Sequence, residues 1–172
     1  MSQPYYLVVA YDGTAYYGWQ EQKHEQTVAG TLQATFYHIF NASIKVVGAS
    51  RTDAGVHALH QVCRFFTNID IHPEHMRRVW NASLPSDIHI RDLGPITGHF
   101  HPQHNIAYKV YYYHIFHQRP LPFGARYGWW PRYMFYGDIL EKALQIYTGA
   151  HDFRSFCSGD YSGDRTICTI YD

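Results

Sequence analysis

The sequence predicts an α+β protein in which helices pack on one face of an antiparallel sheet. Short runs rich in β-forming residues alternate with stretches whose apolar residues recur at helical spacing. Their order is β-α-β-β-α-β, the ferredoxin-like arrangement. The length of 172 residues suits one substantial domain or two small subdomains sharing a core. The expected division is an N-terminal subdomain over 1–105 and the start of a second, similar α/β subdomain over 106–172.

Tyr5 to Tyr11 is a short apolar run rich in β-formers and reads as the first strand, and the polar, Gly-containing stretch from Asp12 to Gln26 reads as a loop. Thr27 is placed to cap a helix. Val28, Leu32, Phe36, Ile39 and Phe40 then form a helical stripe that should lie against the sheet. Ser43 to Val47 and His60 to Phe66 read as strands flanking a loop, Pro73 to Asn81 as a helix and Asp87 to Asp92 as a strand. Beyond them, Tyr108 to His117 reads as a long strand and Gln118 to Arg132 as a Pro- and Gly-punctuated loop. Asp138 with Glu141 forms a capping-box pattern, Ile139, Leu140, Ala143, Leu144 and Tyr147 supply an apolar face, and Gly149 is placed to stop that helix. There is no sustained repeat or low-complexity stretch.

Composition sets the chemical background. Three cysteines, Cys63, Cys157 and Cys168, have no paired or metal-like spacing, which points to a reduced, cytoplasmic protein with buried thiols. There is no apolar run long enough to span a bilayer, and the polar start running straight into strand-like sequence argues against a signal peptide. Fourteen Lys plus Arg balance fourteen Asp plus Glu, so the overall charge does not advertise a nucleic-acid partner. Seven of the arginines, Arg51, Arg64, Arg77, Arg78, Arg119, Arg126 and Arg132, can still concentrate locally, and sixteen tyrosines offer flat faces for stacking bases as well as core material.

The loop between the second and third strands holds Arg51-Thr52-Asp53-Ala54-Gly55-Val56-His57-Ala58. A carboxylate is a nucleophile without a general base, a guanidinium within a few ångströms favours its ionised form, and Gly55 suits a sharp turn that presents Asp53. Taken alone, an Asp near an Arg also fits a turn-stabilising ion pair. Clustered histidines tempt towards a metal, but residues three apart on a strand face opposite ways and no Cys-x-x-Cys or His-Glu-x-x-His pattern accompanies them, so no metal is expected.

These residues resemble the signature of the TruA family of tRNA pseudouridine synthases. Similar stretches follow in order along nearly the whole chain: Asp12-Gly13-Thr14 through Tyr17-Gly18-Trp19-Gln20, Asn81 to Ile88, Phe100-His101, Lys109-Val110-Tyr111-Tyr112-Tyr113, Asp152 to Phe156, and Arg165-Thr166-Ile167. The resemblance implies an isomerase that needs no cofactor or metal. It detaches uracil N1 from the ribose and rejoins the base through C5, acting on the 3′ side of a tRNA anticodon stem-loop as a homodimer.

It also assigns roles. Asp53 is the nucleophile, and Arg51 fills the stack or grips a phosphate as the uridine flips out while biasing Asp53 towards its charged form. Tyr111 stacks on the uracil and assists proton transfer, and His57 and Lys109 line the site or contact phosphate. The sequence stops at Asp172 just inside a strand-like run, so the resemblance implies a chain incomplete at its C-terminus, without a second arginine for Asp53 and with poor turnover on its own.

Three positions depart from the family pattern. Ser50 stands where a glycine usually precedes the Arg-Thr-Asp, Gln103 where an arginine is frequent, and Ala29 where a glutamine is frequent. Gln103 removes a phosphate-binding charge. Two other readings stay open: a non-catalytic RNA-binding module, and a hydrolase pairing Asp53 with a second carboxylate such as Asp12 in glycosidase-like fashion.

Overall fold

The computed structural model describes residues 2–133, 136–157 and 166–171; Arg165 of the last family-like stretch lies outside them. The chain divides into two compact units, Met1–Tyr111 and Tyr112–Asp172.

The first unit is built as β1 (Gln3–Tyr11), α1 (Val28–Phe40), β2 (Val47–Gly48), β3 (Ala58–Thr67), α2 (Pro73–Ser83) and β4 (Ile88–Pro95). The sheet order is β2-β3-β1-β4 with every neighbour antiparallel, the ferredoxin-like sheet expected from the sequence. Alternation along β1 sends Tyr5, Leu7, Val9 and Tyr11 to one face. They meet Cys63 and Phe65 of β3, Ile88, Ile90 and Leu93 of β4, the α1 stripe of Val28, Ala29, Leu32 and Phe36, and Met76 and Trp80 of α2. At the centre the rings of Phe36, Phe65 and Trp80 touch pairwise edge to face, with centroids 4.8–5.8 Å apart, the geometry that aromatic quadrupoles favour.

The helix ends follow local chemistry. Thr27 accepts a hydrogen bond from the Gly30 N–H at the start of α1, and Asn41 closes its end in the left-handed region. At α2, Pro73 occupies the first turn and the His72 ring accepts from the Glu74 N–H. The Asn81 side chain donates to the Ile90 C=O and accepts from its N–H, both at 2.8 Å, fastening α2 to β4.

The expected strand over Ser43–Val47 shrinks to Val47–Gly48, whose partners are Arg64 and Cys63. Just before it, the Val46 N–H is taken by the Gln33 side chain of α1, so a side chain stands where a ladder partner would be. Segment 96–109 returns to the same edge: Arg64 donates to Phe100 C=O, Gln103 to Gly48 C=O and Lys109 to Ala49 C=O.

The second unit has an Ile115–Trp129 bridge, α3 (Gly137–Gln145) and a hairpin of β5 (Gly149–Asp152) with β6 (Ile167–Ile170). The long strand expected over Tyr108–His117 does not form; apart from the bridge, no ladder among the described residues includes it. β-propensity is realised only where a neighbouring strand supplies partners and a surface to pack on. The Asp138–Glu141 capping box is not used either, since Tyr136 is the N-cap and Asp138 sits inside the first turn. α3 ends at Gln145, before Gly149, which instead opens β5 with φ +106°. Every buried apolar side chain among the described residues lies in the first unit, between Tyr5 and Pro102. Accordingly Cys63 is buried but Cys157 and Cys168 are exposed, against the expectation of three buried thiols.

Candidate active site

The loop from Ala49 to His57 leaves the end of β2 and is fastened at nearly every residue. Ala49 continues the ladder by donating to Val62 C=O. Ser50 is gripped by the buried side chain of Gln61, which accepts from its N–H at 3.3 Å and donates to its C=O at 2.6 Å. The Thr52 C=O accepts from the Trp19 N–H at 2.9 Å, and its hydroxyl lies 2.8 Å from the buried phenol of Tyr11. Burial pushes the Tyr11 phenol up to about 12, so this contact is made by a neutral group.

Asp53 then opens a tight turn. Its C=O accepts from the Val56 N–H at 3.2 Å with Gly55 at φ +79° in the third position, where a type II turn needs a residue free to adopt positive φ. The Gly55 N–H is held by the Tyr16 C=O, while the Tyr16 phenol donates to Asp87 at 2.6 Å. His57 closes the loop: its Nδ1 accepts from the Gly13 N–H at 3.2 Å and lies 3.0 Å from Asp12 Oδ1. A donor and an acceptor thus face one ring nitrogen, and the proton on that nitrogen decides which contact is a hydrogen bond. Asp12 also accepts from the Thr14 N–H, capping a short 3₁₀ turn, so it serves the loop's architecture.

Arg51 and Asp53 flank the inward Thr52 and are both exposed. The expected ion pair between them is not formed; among the described residues neither side chain has a hydrogen bond or ion pair. With Thr52 turned to Tyr11, its neighbours are solvated, and fixing two exposed side chains against each other costs as much entropy as the contact returns. Of the other expected site residues, Lys109 is brought to the loop by its 3.1 Å bond to Ala49 C=O, and His57 is half-buried at its base. Tyr111 is 76% exposed, and no hydrogen bond or ring contact ties it to the loop among the described residues.

Sequence reasoning passed over Tyr11, Tyr16, Trp19 and Gln61, which hold the loop, and assigned Gln103 only a missing charge. Gln103 bonds the Gly48 C=O at 3.1 Å, a neutral tie to the edge strand at the position where the family pattern frequently has an arginine. The available signal was the pair of family-like stretches, Asp12–Gln20 and Arg51–Ala58: two loops that recur together can touch.

A family profile described as tRNA pseudouridine synthase matches residues 7–105. The chain is 38% identical over 167 residues to the tRNA pseudouridine synthase A of Thermodesulfovibrio yellowstonii, an alignment covering 96% of this chain and 65% of that protein. Against the proteins of the same name from Pseudothermotoga lettingae and Thermotoga maritima the identities are 37% and 34%, each over 95% of this chain and 67% of theirs. The chain therefore spans about two thirds of the length of these relatives. The profile match takes in both helices of the first unit, the Asp53 loop, and Tyr11, Tyr16, Trp19 and Gln61 that hold it. The chain belongs to the tRNA pseudouridine synthase family.

Proposed function

We propose that the chain carries the catalytic loop of an isomerase converting uridine to pseudouridine in tRNA, with Asp53 as the nucleophile. The observation that carries this reading is an exposed carboxylate, without a protein partner among the described residues, on a loop backbone that its neighbours hold on all sides. A structural aspartate at a turn spends its oxygens on nearby N–H groups, as Asp12 does. Asp53 keeps them for another partner.

The reaction breaks the bond between C1′ and uracil N1, turns the base and joins C1′ to C5; the proton leaving C5 is balanced by one gained at N1. The carboxylate holds the separated fragment during the turn, and regains its free form as the new bond closes. Arg51, exposed and planar in its head group, occupies the space left by the flipped nucleotide or grips its phosphate. Tyr111 offers an exposed ring for stacking and a hydroxyl for the C5 proton, and Lys109 and His57 contribute beside the loop.

On this reading the N-terminal subdomain over 1–105 supplies the loop and residues 106–172 begin a second subdomain. The substrate is a tRNA anticodon stem-loop, the assembly a homodimer and the setting the cytoplasm, the last supported by three free cysteines.

The test is incubation of the protein with unmodified tRNA whose uridines are tritiated at C5. Tritium release with pseudouridine in an RNA of unchanged length supports the isomerase. Free uracil would replace it with a hydrolase, and a bound but unaltered strand with a binding module.

A further inference from the structure

The backbone of Asp53 inherits its position from Thr52, and Thr52 is the residue of the Arg51–Asp53 triplet whose side chain is anchored. β3 carries an extra residue opposite the end of β1, where Val9 pairs with Gln61 and Tyr11 with Ala58. Such a bulge bends the bulged strand and increases the local twist where the Asp53 loop enters β3. The phenol of Tyr11 comes to lie beneath the loop, tilted against the Trp19 ring at 5.9 Å, and reaches the Thr52 hydroxyl at 2.8 Å. Trp19 holds the same residue by its C=O. Thr52 is thus gripped by side chain and backbone at once, while its two neighbours stand in solvent.

We propose that Tyr11 and Thr52 form a positioning pair that sets the Asp53 carboxylate for attack in the reaction proposed above, on which this inference rests. Among the described residues the carboxylate has no partner of its own, so the tolerance of about 0.5 Å that a nucleophile needs is set through its backbone, and Thr52 is the adjacent residue anchored by its side chain as well. The pair fixes geometry without touching the substrate, so its loss slows the chemical step and spares binding.

Thr52→Val, Thr52→Ser, Tyr11→Phe, the Tyr11→Phe/Thr52→Val double variant and Asp53→Asn, each in the full chain, are compared on a tRNA transcript. Thr52→Val and Tyr11→Phe should each lower kcat by about 10- to 100-fold with KM and tRNA affinity unchanged. The double variant should be no slower than the slower single, because either change dissolves the same pair. Thr52→Ser, which keeps the hydroxyl, should restore turnover. Wild-type kcat in Thr52→Val, a Thr52→Ser as slow as Thr52→Val, or losses that multiply or fall on KM would overturn the pair.

Asp53→Asn separates the two readings. Turnover by that variant removes the isomerase assignment. An inactive Asp53→Asn beside an unimpaired Thr52→Val removes only the positioning pair. Amide exchange at residues 52–57 without RNA reads the anchor independently of turnover: it should quicken in Thr52→Val but not in Thr52→Ser, and equal rates in the two would overturn the inference.

Discussion

Gly13 and Val56 meet backbone to backbone: a Cβ built on Gly13 would run into the Val56 carbonyl oxygen. The first loop and the Asp53 loop are closed on each other here with no space for a methyl group. Gly13→Ala should therefore force the two apart, costing about 1–3 kcal/mol in urea unfolding and releasing the His57 contact with the Gly13 N–H. A variant as stable as the parent would show that the loops part freely.

Asp53→Asn should behave in the opposite way. The side chain is exposed and bonded to nothing among the described residues, so stability should change by less than about 0.5 kcal/mol. Pseudouridine formation should fall by about 10⁴-fold or more, the scale of losing a nucleophile. Thermal melting and product analysis on one preparation check both halves.

Trp80 is fully buried among Phe36 and Phe65 and donates its indole N–H to the Leu32 C=O at 3.2 Å. Trp80→Ala should cost about 3–5 kcal/mol through cavity formation, measured as the shift in denaturation midpoint.

Asn81 satisfies both backbone groups of Ile90, so Asn81→Ala leaves a donor and an acceptor at the α2–β4 seam without this partner. The expected cost is about 1–3 kcal/mol, with faster amide exchange at Ile90. Unaltered exchange would mean that water replaces the amide at no penalty.

The buried phenols predict an alkaline limit. Burial raises Tyr11 from 10.0 to about 12, and burial together with the Asp87 hydrogen bond and charge raises Tyr16 as well. A folded-state value above the unfolded one contributes stability that is complete below pH 10.0 and is lost as pH rises through the folded value. Phenolate absorbance and circular dichroism followed together should show the loop clamp failing as Tyr11 ionises near pH 12. Ionisation near pH 10.0 with structure intact would contradict the burial of this ring.

Local chemistry alone made much of the first unit legible. The Thr27 cap, the stripe from Val28 to Phe40, the helix opening at Pro73 and the β-forming run from Tyr5 to Tyr11 each depend on residues a few positions apart, and each reappears in the fold. The motif likewise marked the Asp53 loop, because its residue types carry their chemistry wherever they stand.

What the tertiary structure decided is non-local pairing. Ser43–Val47 and Tyr108–His117 have the composition of strands, yet a strand exists only where another segment supplies its hydrogen-bond partners, and neither run determines that by itself. The same reason hid Tyr11 and Gln61, whose contacts cross 41 and 11 residues of chain. It also let Arg51 and Asp53, two residues apart, stand without an ion pair between them. The sequence determined which groups are present and how each short segment folds; long-range packing decided which of them meet, since the free energy of such a contact belongs to two distant segments together.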